Sequence, residues 1–180
     1  MKNSKNITIF CGSKIGKSQT LKKEVEQLAK LLSEENFNLV YGGSKYGIMG
    51  LFADQFLKKE RKVIGIRYEN QNTETAHPDI SELIIAENLH IRKEKLIQMS
   101  DVILVLPGGL GTLDEFFEVF SQHKSFDNKQ TIVFNPEHFY DHLEELITQI
   151  YESGYIRLKD KNAVYFSSNS NEILERIIKY

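Results

Sequence analysis

The 180-residue sequence has little of what several classes of protein depend on. Its single cysteine excludes an intramolecular disulfide framework and a four-thiolate zinc site. Basic and acidic residues nearly balance, at 23 and 25, so the net charge does not favour binding to nucleic acid or to an anionic membrane. The longest apolar run, residues 102–106, is far shorter than the roughly 20 residues of a membrane-spanning helix. The N-terminal segment lacks the apolar stretch of a signal peptide, and together these absences predict a cytoplasmic protein.

The sequence does contain short apolar segments that alternate with amphipathic ones. We predict seven strands, at residues 7–11, 38–41, 63–66, 82–86, 102–106, 131–134 and 164–166. Segment 102–106 is apolar throughout, which is typical of a central parallel strand covered on both faces. Since no linker or repeat interrupts the chain, we expect residues 1–180 to form one Rossmann-like α/β domain. Its sheet would be doubly wound and mostly parallel, with helices on both faces.

Three of the predicted strands run into glycine. Gly12 and Ser13 follow the first strand, Gly42 and Gly43 follow the second, and the run PGGLGT at 107–112 follows the fifth. The carboxyl ends of parallel strands meet at one edge of a sheet, and ligands bind there. Glycine allows a ligand to approach the backbone, and the N-terminus of the following helix favours anions. We therefore predict an anionic small molecule, a nucleotide, at this edge.

Two segments of the sequence match known nucleotide-binding motifs only in part. Residues 12–18 read GSKIGKS, which has one residue too few between the glycines for a P-loop. Gly109 and Gly111 begin like a dinucleotide fingerprint, but Asp114 occupies the third glycine position. The next predicted strand ends in Asn135 instead of an acidic residue. An NTPase and a nicotinamide or flavin enzyme are therefore not favoured.

Three further features have simple structural explanations. His138 and His142 are four residues apart in a predicted helix, but without a third ligand we interpret them as an exposed pair on a polar face. Cys11, at the end of a strand, is expected to be a small buried packing residue. The polar segment 68–79 either closes over a bound base or is simply mobile.

A cation interrupts the apolar stripe of the helix that precedes the fifth strand. Leu89, Leu96 and Met99 form this stripe, and Arg92 lies on the same face. The charge is either paired at a cleft or reaches water while its stem packs against apolar neighbours. The periodicity leaves both interpretations open. Lys93 lies on the flank of the stripe.

Glu115 also has two interpretations. Thr112 and Glu115 have the spacing of a capping box, in which each side chain accepts the backbone N–H of the other residue. Alternatively, the carboxylate lies at the mouth of the ligand cleft, where it reaches a sugar or a water while the amides of Gly111 and Thr112 bind phosphate. The two interpretations exclude each other only if the carboxylate is locked in the cap.

Residues 107–115, PGGLGTLDE, resemble the P-G-G-x-G-T-x-x-E motif of the lonely-guy family, whose members are often mislabelled as lysine decarboxylases. Arg92 and Lys93 fall where that family has its Arg-Lys pair. The resemblance includes the glycine turns at 11–13 and 41–50 and covers most of the chain. Ser44 stands where the family usually has a third glycine.

The resemblance implies a phosphoribohydrolase that splits the N-glycosidic bond of an adenine nucleoside 5′-monophosphate, either plain or N6-prenylated. Arg92 and Glu115 would be catalytic, and Lys93 would contact the substrate. The remaining substrate-binding positions would be Gly12, Ser13, Gly42, Gly43, Gly108, Gly109, Gly111 and Thr112. The family implies a homodimer and no metal or organic cofactor.

A second function remains open, because relatives of similar fold carry phosphorylated pterins (the molybdenum cofactor) without hydrolysing them. Fold alone does not separate an enzyme from such a carrier. The presence of both Arg92 and Glu115 favours the enzyme.

Overall fold

The structure is a computed structural model, which describes residues 4–122, 129–156 and 163–180. The strands are β1 (Lys5–Phe10), β2 (Phe37–Tyr41), β3 (Val63–Tyr68), β4 (Glu82–Ala86), β5 (Val102–Val105), β6 (Gln130–Phe134) and β7 (Val164–Ser167). The helices are α1 (Gln19–Glu34), α2 (Gly47–Lys58), α3 (Leu89–Gln98), α4 (Leu110–Gln122), α5 (Asp141–Glu152) and α6 (Ser170–Lys179). Within the described ranges the strands form one sheet, in the order β4-β3-β2-β1-β5-β6-β7, and all neighbouring strands are parallel.

The seven predicted strands and the doubly wound α/β fold are confirmed. Strand bounds differ from the prediction by at most two residues. Apolar spacing did not single out α2, because this helix begins at Gly47 and contains Gly50. Glycine is a poor helix former, so packing against the sheet rather than local propensity explains this helix.

The two faces of the sheet have separate apolar cores. Helices α1, α2 and α6 cover one face, where Val25, Phe52 and Ile177 are fully buried. Helices α3, α4 and α5 cover the other face, where Leu96 and Phe116 lie in the core. No helix in the described part of the chain is long and apolar enough to span a membrane.

Strand order reverses at β1. The chain proceeds outward from β1 to β4 on one side and then returns to place β5 against the other side of β1. Ligands on such sheets bind beyond the carboxyl ends of the strands at this reversal. Gly12 and the run 107–112 follow the two strands concerned, so the fold puts the predicted glycine turns at the expected binding edge.

The connection between β3 and β4 contains no α-helix. It has only a short 3-10 helix, Thr73–Thr75, and residues 75–77 bond to the turn after β2. The backbone N–H of His77 donates to the Gly43 carbonyl at 3.0 Å, and the His77 side chain is buried. This part of the connection therefore packs against the binding edge.

Candidate active site

The glycine turns after β1 and β5 lie in direct contact. The backbone N–H of Gly12 donates to the Pro107 carbonyl at 3.0 Å, and the Gly12 carbonyl accepts from Ile48 N at 3.2 Å. A Cβ on Gly12 would lie 3.4 Å from the Gly108 Cα. These contacts bring the starts of α2 and α4 to the same edge, so larger residues at Gly12 or Gly108 would separate the turns.

Arg92 and Glu115 form a buried ion pair at this edge. Asn88 caps α3 by accepting the Ile91 N–H, and one turn along that helix Arg92 points towards α4. Its Nη1 lies 2.9 Å from Oε1 of Glu115, and its Nε donates to the Ile66 carbonyl at 2.9 Å. Arg92 is 7% exposed and Glu115 is 9% exposed. Arg92 is therefore paired, and the interpretation in which its guanidinium reaches water is wrong.

The surroundings of this pair perturb its acid–base chemistry. Burial raises the pKa of the Glu115 carboxyl, and the adjacent Arg92 guanidinium opposes that increase. Burial also raises the pKa of the Cys11 thiol, and the nearby Glu115 charge adds to the effect. Cys11 is 3% exposed, which confirms it as a buried packing residue. A carboxyl group whose pKa is raised by burial is suited to proton transfer.

The interpretation of Thr112 and Glu115 as a capping box is wrong. Helix α4 begins at Leu110, so Thr112 already lies within it, and the Glu115 carboxylate bonds to Arg92. The N–H of Thr112 donates to the Gly109 carbonyl at 3.0 Å. Because this amide is occupied, it is not free to bind phosphate as predicted. The Thr112 side chain is instead buried against Gly108.

Other amides at the start of α4 are available to a ligand. Among the described residues, no hydrogen bond is formed by the N–H groups of Gly109, Leu110 and Gly111. Gly109 and Gly111 are exposed, and a Cβ on either would have no atom within 4 Å. Exposed amides at a helix N-terminus bind anions well, because the helix dipole adds to their donors. Two of the predicted phosphate-binding positions are thus open.

The turn after β2 adjoins the guanidinium of Arg92. A Cβ on Gly42 would lie 2.6 Å from Arg92 Nη2, the nitrogen that does not contact Glu115. Gly43 has φ +76°, a backbone conformation that favours glycine. Gly42 and Gly43 therefore shape the site, as the sequence predicted that they would lie near it.

Lys93 lies beside the pair and faces two other carboxylates. Its ammonium contacts Asp114 at 3.1 Å and also contacts Glu118. The hydrogen bond to Glu118, more than that to Asp114, raises the pKa of Lys93, so this residue stays charged. That Lys93 contacts the substrate stays a prediction.

A cavity of about 460 Å³ lies at the strand reversal. Gly12, Ser13 and Gly108 line it, together with apolar side chains from α1, α2 and the segment after β6: Leu21, Ile48 and Phe139. Arg92 and Glu115 do not line it, because they lie on the α3 and α4 side of the sheet. The Gly12 and Gly108 turns thus stand between a cavity on one face and the ion pair on the other.

His138 and His142 do not share a helix as expected. His138 lies in a 3-10 turn, Pro136–His138, with φ +61°, whereas His142 lies in α5. Both side chains are exposed, as predicted, and each contacts a carboxylate three residues further on. In the ranges that the structure describes, no three His, Cys, Asp or Glu side chains are grouped to hold a metal ion.

The chain as a whole is similar to known proteins. A family profile described as "Possible lysine decarboxylase" matches residues 49–177. A cytokinin riboside 5′-monophosphate phosphoribohydrolase from Rhodococcoides fascians is 32% identical over 155 residues, which are 84% of this chain and 78% of that protein. The Arabidopsis thaliana enzyme LOG2, of the same activity name, is 30% identical over 98% of this chain and 84% of its own.

The chain belongs to the lonely-guy family. Solved structures of other proteins share its fold. A molybdenum cofactor binding protein from Rippkaea orientalis has a TM-score of 0.73, with 23% identity over 99% of this chain and 98% of its own. A molybdenum cofactor carrier protein from Chlamydomonas reinhardtii has a TM-score of 0.75, with 14% identity over 98% of each chain. At these identities the likeness of this lonely-guy protein to carriers concerns the fold alone.

Sequence reasoning missed one buried charge near the site of this lonely-guy protein. Arg67, in β3, is 2% exposed and lies beneath Gly43. The sequence did contain a signal for this buried charge. Val63, Gly65 and Arg67 lie on the same face of a strand that is otherwise apolar. A cation on the buried face of a central segment requires specific partners.

Proposed function

We propose that this lonely-guy protein hydrolyses the N-glycosidic bond of adenine-type nucleoside 5′-monophosphates, AMP or its N6-prenylated derivatives. The products are the free base and ribose 5-phosphate. The observation that supports this most directly is the buried Arg92–Glu115 pair next to three glycine turns. The relatives whose names state a phosphoribohydrolase activity agree with it.

The open amides of Gly109 and Gly111 would hold the 5′-phosphate at the N-terminus of α4. Anion binding at this point needs no side-chain charge, since the N–H groups and the helix dipole supply it. The glycine turns at Gly12 and Gly42 would allow the ribose to approach the backbone closely. The phosphate would thus fix the sugar near the ion pair.

Glu115 would act on the sugar and on water. Cleavage passes through a ribose with positive charge near the anomeric carbon, which a carboxylate stabilises. The oxygen of one water bonds to C1′, and the C1′–N bond breaks with its electron pair on the base. One water proton ends on the base, so the reaction consumes one water and no other reactant. Arg92 would keep the carboxylate ionised and orient it.

Release of free base tests this function. Purified protein is incubated with AMP and with N6-isopentenyl-AMP, without added metal, and the products are separated by chromatography. We expect free base from the wild-type protein and almost none from Glu115→Gln. If the nucleotides stay intact and are recovered bound to the protein, the activity is wrong and a carrier is the better description.

A homodimer is part of the proposal. Large apolar side chains of α3 and α4 are exposed in the single chain, including Leu89, Leu110 at 86% and Phe117. A second copy would cover this surface next to the site. Light scattering should give twice the 20.8 kDa of one chain, and Phe117→Lys should shift the mass towards one chain. A monomeric wild-type protein would contradict this part of the proposal.

A further inference from the structure

Arg67 is a buried cation that no carboxylate neutralises among the residues described. Its Nη2 donates to the Thr75 hydroxyl at 2.8 Å and to the Asn72 carbonyl, and its Nη1 lies 3.5 Å from the Gly43 carbonyl. At 2% exposure it has little access to water. A buried charge without a counter-ion is unfavourable unless hydrogen bonds compensate it, and the three acceptors around Arg67 are all neutral.

Arg67 and Arg92 lie against the same glycine turn from opposite faces of the sheet. The missing side chain of Gly42 leaves room for Arg92 Nη2, and the missing side chain of Gly43 leaves room for Arg67 Cγ. A Cβ on Gly43 would lie 2.9 Å from that carbon. The turn is thus packed between two arginine side chains, one of which is the proposed catalytic residue.

Arg67 also joins this turn to the β3–β4 connection. Lys45 N donates to the Thr75 carbonyl at 3.0 Å, and His77 N donates to the Gly43 carbonyl at 3.0 Å. Arg67 reaches an acceptor in each of the two segments that these bonds connect. It therefore occupies the middle of a small network that fixes the turn and residues 72–77 together.

The charges of the two arginines oppose each other. Burial lowers the pKa of Arg67, and the positive charge of Arg92 lowers it further. Glu115 lies against Arg92 and leaves Arg67 without an ionic partner in the described residues. The electrostatic environment of Arg67 is thus unfavourable, and what arginine supplies at this position is a planar guanidinium with five N–H donors.

We infer that Arg67 is a positioning residue for the proposed hydrolysis: it holds the Gly42–Gly43 turn against which the Arg92 guanidinium lies, and it ties residues 72–77 to that turn. The inference rests on the proposed function. Arg67 does not contact the reacting atoms. It acts through the turn, so the geometry of its hydrogen bonds matters and its charge alone does not.

Arg67→Lys keeps the positive charge but loses the guanidinium and its arrangement of N–H donors. Arg61→Lys is the matched control. Arg61, just before β3, also donates to two carbonyls and one side-chain amide, but it lies at the opposite end of the strand. With AMP as substrate, we expect Arg67→Lys to lower kcat about tenfold while KM stays within about threefold, as for a misplaced catalytic group. Arg61→Lys should leave both constants unchanged.

Amide hydrogen exchange measures the network independently of turnover. The amides of Lys45 and His77 should lose protection in Arg67→Lys and keep it in Arg61→Lys. If the wild-type protein releases no base from AMP, the proposed function fails, but exchange still reports whether Arg67 holds the turn. Unchanged protection of these two amides would overturn the inference whatever the activity is.

Thr75→Val covers the case in which Arg67→Lys does not fold. It removes one acceptor of the Arg67 guanidinium and leaves the arginine in place. We expect a kcat a few-fold lower, with a melting temperature close to that of the wild-type protein. A folded Arg67→Lys or Thr75→Val protein with wild-type kcat would assign Arg67 a structural role only and overturn the inference.

Discussion

Arg92 and Lys93 are neighbours in α3 and both form ion pairs with α4, but these pairs differ in their exposure to water. Arg92–Glu115 is 2.9 Å long, with side chains 8% and 11% exposed. Lys93–Asp114 is 3.1 Å long, and the Asp114 side chain is 57% exposed. One residue along a helix turns the side chain by about 100°, so Lys93 meets other residues of α4, the exposed Asp114 and also Glu118, whose side chain is 11% exposed. Sequence adjacency therefore does not imply a shared role.

The buried pair has the less obvious contribution to stability. Desolvation of two buried charges offsets much of their attraction, so such a pair is weak evidence for a stabilising role. The outer pair, Lys93–Asp114, loses less hydration, because the Asp114 side chain is more than half exposed. The burial of the Arg92–Glu115 pair agrees with the chemical role proposed for it, whereas the Lys93–Asp114 contact is explained by its links between the two helices alone. Four variants or measurements sharpen this comparison.

Glu115→Gln should have the largest effect. The amide keeps the shape of the side chain and an oxygen that accepts from Arg92, but it cannot stabilise positive charge on the ribose or take a proton. We expect kcat to fall by about 10²- to 10⁴-fold. Steady-state release of adenine measures it, with Asp114→Asn as the control in the outer pair. Comparable losses in the two variants would remove the distinction between the pairs.

Arg92→Lys should come next. Lysine keeps the charge, but one ammonium cannot reproduce the separate bonds of Nε to the Ile66 carbonyl and of Nη1 to Glu115. We expect kcat/KM to fall about 10- to 100-fold, with a circular dichroism spectrum like that of the wild-type protein. Normal kinetics in the folded variant would show that Arg92 matters only as a charge.

The pH dependence of activity should follow the raised pKa of Glu115 and should shift to lower pH in Asp114→Asn. Because burial raises the pKa of Glu115 and the carboxylate is the active form, activity should rise with pH through a value above the roughly 4.3 of a free glutamate. The nearby Asp114 charge also raises this pKa. Asp114→Asn should therefore move the acidic limb to lower pH, which initial rates measured across the acid range would show. A limb that moves to higher pH would contradict this electrostatic account.

Lys93→Met should have the smallest effect. Its ammonium is already held by Asp114 and Glu118, so we expect KM to rise by about threefold and kcat to stay constant. Because the Glu118 side chain is 11% exposed and would lose its cation, the free energy of unfolding should fall by about 1–3 kcal/mol, measured by urea denaturation, although the effect on activity is small. A tenfold or larger rise in KM would place Lys93 in direct contact with the substrate.

Local sequence patterns predicted the fold and the sheet edge at which the candidate site lies, because both depend on short-range features. Apolar segments of strand length set the sheet, and glycine at strand ends marked the binding edge. The pairing of Arg92 with Glu115 could not be derived in this way. It joins residues 23 positions apart, and it depends on how α3 and α4 pack on the sheet.

The errors have physical causes. The capping box required α4 to begin after Thr112, but the Gly109 carbonyl accepts from both Thr112 and Leu113, so the helix starts earlier. The two histidines were assigned to one helix, but left-handed backbone at Glu137 and His138 interrupts it. Pro136 was a local signal for that interruption, since proline favours the start of a turn.

The adjacent glycines after β2 also constrain how sequences of this family can diverge. Each glycine accommodates one arginine, Gly42 for Arg92 and Gly43 for Arg67. Substitutions at these positions should therefore covary in pairs. Homologues with a side chain at position 43 should lack arginine at position 67, and homologues that keep arginine at position 92 should keep glycine at position 42. An alignment of related sequences should thus show positions 42 and 92 varying together, and positions 43 and 67 varying together, independently of the first two. This would hold although one short turn lies against both arginines.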